Sequence, residues 1–280
     1  MQKTHPARTR FRALLRQPDE LLSLAEAALC IAWEEQGVDR VDDSLRMLDT
    51  LAAGARAWIS DHTAPNAIIN GLNRYVFGEM GFHGNVRNYA DPANSFLDRV
   101  LAERVGLPIT LSIVYMEVGW RLGLPVDGLA LPGHFLVRYA AEDEAISIDP
   151  FNRGRIWSHA ECLTQIGTFY GEISPALAAR ILAPPTKRQI LARVLRNLKS
   201  LYVERGALAR GLSIVDRVLL ADPASAQDVR DRGLMRARLG ALHGALEDLD
   251  RYARMAPDAT DIQRIRREAR TLAERVAAGN

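Results

Sequence analysis

Cysteine is scarce. The 280-residue chain has two, Cys30 and Cys162, far apart and without CxxC or paired Cys/His spacing. That excludes a disulfide framework and a zinc knuckle, and it indicates a reducing compartment, with the cytoplasm as the expected location. No stretch approaches the roughly 18 apolar residues of a membrane span, so no membrane partner is expected. The opening "MQKTHPARTRFRALLRQPDE" is basic but lacks the apolar core of a secretory signal. Neither sign of charge dominates: 36 Lys and Arg stand against 34 Asp and Glu, and the pI of about 8.6 is too mild to argue for nucleic acid. What the chain does have is apolar content, 48% against 25% charged, and length enough for two domains with sizeable cores.

The first third is helical in period. "PDELLSLAEAALCIAWEEQ" places Leu21, Leu22, Ala25, Ala28, Leu29 and Ala32 at helical spacing behind an acidic first turn. "VDDSLRMLDTLAAGARAWI" repeats the pattern, and "TAPNAIINGLNRYVFGEMGF" reads as a third helix closed by Gly78 and Gly81. After a loop rich in Asn and Asp, residues 95–105 read as a short amphipathic helix ended by Gly106. Residues 109–122 are apolar almost all round, which predicts a buried central helix with Pro108 in its first turn. The period then changes to two. "VDGLALPGHFLVRYA" and "EAISIDPF" read as antiparallel strands joined by the turn "AAEDE". This pattern gives an α+β class.

Pro184-Pro185 marks a boundary, placing one domain at 1–183 and a second at 187–280. The second is helical and repetitive. Gly206-Ala207-Leu208 recurs as Gly240-Ala241-Leu242, and Asp222-Pro223 is matched by Ala256-Pro257, at the 34-residue period of tetratricopeptide repeats. From Lys187 onward 19 basic residues face 12 acidic ones, a net +7, and Arg264, Arg266, Arg267 and Arg270 lie on the last helix. A groove between stacked helix pairs is the expected site for a protein or peptide partner, an acidic peptide among them. Aromatic interleaving, which a nucleic-acid partner would call for, is missing.

The candidate chemistry lies in "LPGHFLVRY" and "ISIDPFNRG". His134 opens one strand and Asp149 ends the next, so the two are expected to face each other across the ladder. A carboxylate on one imidazole nitrogen fixes the tautomer and leaves the other nitrogen as a base. Such a pair takes a nucleophile from a helix N-terminus, and the helix beginning at Gly106-Leu107-Pro108 is the nearest one in the pattern. Cleft residues around it are Asn94, Ser95, Pro108 and Thr110. Asn94 and Ser95 also read as helix caps. Glu79, His83 and Asn85 are further cleft candidates, but no metal-ligand spacing is present and no cofactor is implied. Arg153 and Arg155 read as a solvated turn, and His62 and His159 as surface residues. Glu117, in the apolar helix, is expected to pair with Arg121 one turn on.

The order of these pieces resembles the transglutaminase-like superfamily, whose fold is papain-like and whose triad is Cys, His and Asp. That resemblance implies a helix opening with Gly-x-Cys and ending in a segment like "RALGIPAR". Placing that segment on Trp120-Arg121-Leu122-Gly123-Leu124-Pro125 puts His134 and Asp149 on the family's His and Asp and puts Pro108 where the cysteine belongs. "NSFLDRVLAERVGLPITLSIVYMEV", "LPGHFLVRY" and "IDPFNRG" are most similar to the SirB-one branch, which joins a transglutaminase-like core of the second type to C-terminal tetratricopeptide repeats. Proline carries no nucleophile. Thr110 and Ser112 are rotated off position 108 on the helix, and Cys162 and Cys30 read as buried apolar residues. The expectation is a non-catalytic protein-interaction or regulatory scaffold. The alternative is a papain-like hydrolase or transferase on peptide or amide bonds, with an unconventional nucleophile.

Overall fold

In the computed structural model, which describes residues 5–59, 64–140 and 145–279, the chain divides into two units, Met1–Ile190 and Leu191–Asn280. The turn "AAEDE" beyond Ala140, and His62, lie outside the described residues.

The first unit begins with α1 (Pro6–Leu14), α2 (Leu24–Gln36), α3 (Val41–Ile59) and α4 (Pro65–Asn73). The helix α1 was not anticipated from the sequence. The helix expected from Pro18 starts later, at Leu24, because Ser23 takes an extended conformation and its hydroxyl accepts from the Glu26 amide. The third helix is also interrupted: α4 passes into a π-helical turn, Arg74–Glu79, before Gly81 closes it at φ +74°. Strands β1 (His83–Gly84) and β2 (Val105–Gly106) then pair in parallel. Between them lie a 3₁₀ turn, Pro92–Ser95, and α5 (Leu97–Glu103). It is Arg104, at φ +60°, that ends α5, not Gly106. Gly106 is needed for another reason: a Cβ there would sit 2.8 Å from Thr110 Oγ1.

Helix α6 (Pro108–Arg121) is the centre of this unit, with twelve of its residues buried. Pro108 occupies its first turn, where no N–H is needed. The buried Glu117 is satisfied twice: Oε1 accepts from the Ala25 amide at 2.8 Å, and Oε2 pairs with Arg121. Against α6 packs a four-stranded antiparallel sheet of β3 (Val126–Leu129), β4 (Leu136–Ala140), β5 (Ala145–Asp149) and β6 (Arg155–Trp157), in that order. The first expected strand is split into β3 and β4 by the corner at Pro132-Gly133, and β6 was not anticipated. Helices α7 (His159–Tyr170) and α8 (Pro175–Leu182) follow, with Cys162 and Ile166 of α7 joining Leu129, Leu131 and Leu136 in an apolar cluster.

From Lys187 the chain is all helix: α9 (Lys187–Glu204), α10 (Leu208–Ala221), α11 (Ala226–Arg238), α12 (Leu242–Met255) and α13 (Ile262–Ala277). The period is visible in the backbone. Gly206 and Gly240 have φ +70° and +80°, and the caps Ala207 and Ala241 agree within a few degrees. Within the second unit the arginine excess is largely consumed by ion pairs. Asp228 is buried against Arg196 and Lys199, each at 2.8 Å, and Asp248 holds Arg232 at 2.6 Å and Arg236 at 2.8 Å. Arg266, Arg267 and Arg270 remain exposed on α13, while Arg264 pairs with Asp261.

Arg196 also pairs with Asp222 at 2.6 Å and Lys199 with Asp231 at 2.8 Å, so removing Asp228 takes away their shared buried acceptor without leaving either cation alone. Asp228→Ala should lower unfolding free energy by about 2 kcal/mol, measured by urea denaturation. An unchanged midpoint would contradict the reading of this cluster as a folding constraint.

Candidate functional site

His134 is placed by a tight corner. Its amide donates to Leu131 O at 3.2 Å, with Pro132 and Gly133 between them. Gly133 has φ +70°, which with proline ahead of it fits a type II turn. A Cβ on Gly133 would also lie 2.5 Å from the Phe169 ring. The corner is pinned from α7, where Gln165 Nε2 donates to Pro132 O at 2.9 Å. His134 therefore sits two residues before β4 and meets Asp149 from a loop. The expected cross-ladder pairing is not what joins them, because the register sets Val137 opposite Ile148.

Asp149 ends β5 and is completely buried. Its Oδ2 receives His134 Nε2 at 2.8 Å, Asn152 Nδ2 at 2.8 Å and the Trp157 indole N–H at 3.1 Å. Its Oδ1 accepts from the amides of Phe151 and Asn152 at 3.1 and 3.2 Å, an Asx turn. Burial alone would raise this carboxyl's pKa. The hydrogen bonds from His134 and Asn152, with the imidazole's charge, hold it below the usual range. With Nε2 committed to the carboxylate, the neutral ring carries its lone pair on Nδ1. Trp157 stacks on His134 at 5.6 Å and 19°, and Phe151 meets the imidazole edge-on at 6.2 Å.

The turn after Asp149 is locked from a distance. Gly154 donates to Asp149 O at 2.8 Å, and its own carbonyl accepts from Asn73 Nδ2 at 2.9 Å. Asn73 Oδ1 in turn accepts from the hydroxyl of Tyr115, on α6, at 2.9 Å. Arg153 has φ +54°, and Arg155 lies over the Trp157 ring and pairs with Glu161.

The other candidate residues form a second, buried group at the start of α6. The Thr110 hydroxyl accepts from Leu107 N at 3.0 Å and lies 2.8 Å from Asn94 O and 3.2 Å from Leu107 O. Asn94 receives Asn85 Nδ2 at 2.9 Å and donates to Asn88 O and Tyr89 O, so it organises the 85–91 loop. Ser95 Oγ is buried without a hydrogen-bond partner among the described residues. Ser112 Oγ donates to Phe135 O at 3.4 Å, which ties α6 to the residue after His134. Neither thiol is activated. Cys162 faces Ser147 Oγ at 4.0 Å, and burial raises its pKa. Burial pushes Cys30 to about 12. His83 and Asn85 line a shallow cavity of about 610 Å³ with Glu103. Among the described residues no group of His, Cys, Asp and Glu is arranged to hold a metal, and no helix is long and apolar enough to cross a membrane.

Because Asp149 has a depressed pKa in the folded state, its stabilising effect is present above the ordinary carboxylate pKa of about 3.9 and is lost as pH falls through the lower folded value. Asp149→Asn should lower stability by roughly 2 kcal/mol at pH 7. The gap to the wild type should narrow below about pH 4. Denaturation at a series of pH values measures this, and a pH-independent gap would contradict the assignment.

Residues 42–196 match the Transglutaminase-like superfamily, and residues 198–270 match the Tetratricopeptide repeat. A UPF0162 protein of Xylella fastidiosa is 36% identical over 254 residues, covering 89% of each chain. A UPF0162 protein of Pseudomonas aeruginosa is 30% identical, covering 87% of this chain and 88% of its own. Protein SirB1 of Salmonella typhimurium is 27% identical, covering 81% and 84%.

Proposed function

The chain belongs to the transglutaminase-like family that includes the UPF0162 proteins, and from that membership we propose that it acts as a non-catalytic protein-interaction scaffold in the cytoplasm. One observation carries the reading. Pro108 opens α6, at the position that the resemblance to the transglutaminase-like superfamily assigns to the cysteine, while His134 and Asp149 are assembled as a bonded pair. A papain-like mechanism needs a thiolate there, and proline supplies neither a nucleophile nor an amide donor. The neighbouring hydroxyls do not replace it. Thr110 is held by Asn94 O and Leu107, and Ser112 points at Phe135 O. A hydroxyl also requires much stronger activation than a thiol.

In this reading His134 and Asp149 serve the fold, fixing the Pro-Gly corner to the turn after β5. Partner binding falls to the repeats. Tetratricopeptide repeats offer an extended groove for a peptide, and the exposed Arg266, Arg267 and Arg270 favour an acidic one. The two free, buried thiols are consistent with a reducing compartment.

The intact dyad is what would favour the rival, an amide hydrolase or transferase with an unconventional nucleophile. Treating the folded protein with an iodoacetamide probe and a fluorophosphonate probe, alongside His134→Ala, separates the two. The scaffold predicts no labelling that depends on His134. Rapid modification of Thr110, Ser112 or Cys162 that vanishes in the variant would overturn it.

A further inference from the structure

One cross-strand row runs through all four strands of the larger sheet: Asp127 opposite Arg138, Arg138 opposite Ser147, Ser147 opposite Trp157. Directly opposed residues share a face. Cys162 of α7 approaches Ser147 on it, at 4.0 Å. A cleft of about 1260 Å³ opens at this end of the sheet, and its lining includes Arg138, Ser147, Trp157, His159, Glu161 and Cys162.

Arg138 is under-bonded for a guanidinium in such a place. Its Nε is sealed from solvent and has no hydrogen-bond partner among the described residues. Among the described residues its terminal nitrogens reach Asp127 Oδ2 at 3.4 Å and Leu182 O at 3.5 Å, both beyond the usual N–H···O range. The carboxylate that lines the cleft, Glu161, is committed elsewhere, held by Ser158 and Arg155. Asp127 is half-exposed, so its long contact to Arg138 is easily exchanged. Nε stays sealed, but the side chain is a quarter exposed, and the acceptor that suits its two weakly held terminal nitrogens together is a carboxylate, which takes both in an end-on fork. Ser147, on the next strand, adds a hydroxyl at the same level, and Pro125, Leu129 and Leu182 add apolar lining.

We propose that this cleft binds a small organic carboxylate, with Arg138 and Ser147 holding the carboxylate and the apolar lining around Leu129 and Leu182 covering the rest of the molecule. The site is separate from position 108 and does not rest on the scaffold reading. Its link to the His134–Asp149 pair is Trp157, which lines the cleft, stacks on His134 and donates to Asp149.

Benzoate titrated into the full chain by isothermal calorimetry tests this, with benzamide and inorganic phosphate as comparators. Saturable benzoate binding is expected, with a Kd in roughly the millimolar range for so small a probe. Benzamide should bind at least about tenfold more weakly, because it cannot accept the fork. Arg138→Gln should weaken benzoate by a similar factor. Since that change could disturb the sheet, Ser147→Ala gives an independent reading: a few-fold loss of affinity with an unchanged thermal midpoint. The proposal is overturned if benzoate gives no saturable heat, if benzamide binds equally well, if affinity survives Arg138→Gln, or if phosphate binds more tightly than benzoate.

Discussion

The buried carboxylate of Asp149 is the constraint on which the site depends. Five donors converge on its two oxygens: an imidazole, an indole, an amide side chain and two backbone amides. An ionised carboxylate with no exposed surface is tolerated only when its lone pairs are filled in this way. The donors come from three directions: the loop before β4, the turn after β5, and β6. Each of those segments is therefore fixed relative to the others. The type II corner at Pro132-Gly133, the left-handed residues Arg153 and Gly154, and the stacking of Trp157 on His134 follow from the same requirement.

On the proposed scaffold reading, this arrangement separates two properties that a thiol enzyme combines. Orienting a histidine takes a carboxylate, a turn and a stacking partner, and all are present here. Attacking a carbonyl takes a nucleophile at a helix N-terminus. At that point the chain has invested in something else: Pro108, a Thr110 hydroxyl bound to two carbonyls and an amide, and Gly106 kept small to admit it. The result is a rigid start to α6, joined through Asn94 to the 85–91 loop.

Much of this was legible in the sequence because its signals are local. The central helix shows as an apolar run behind Gly-Leu-Pro, the repeats as a 34-residue recurrence, and His134 and Asp149 as polar residues at the edges of period-two segments. What escaped was non-local or too short to carry a period. Strand β6 has three residues, two of them exposed, so Trp157 gave no sign that it would meet both members of the dyad. The lock from Tyr115 through Asn73 to Gly154 joins residues 42 and 81 positions apart, and nothing near any of them announces it. Asn94 and Thr110, expected to line the cleft, are both buried: Thr110 serves backbone groups, and Asn94 holds the Asn85 side chain and two carbonyls of the 85–91 loop.

The most direct test of the central claim, that the fold holds an oriented His–Asp pair lacking only its nucleophile, is to supply one. In Pro108→Cys the introduced thiol should be alkylated by iodoacetamide at neutral pH much faster than Cys30 or Cys162, and adding His134→Ala should remove most of that advantage. If the new thiol reacts no faster than the two buried cysteines, or reacts equally with and without His134, position 108 is not the vacant place in the triad and the account is wrong.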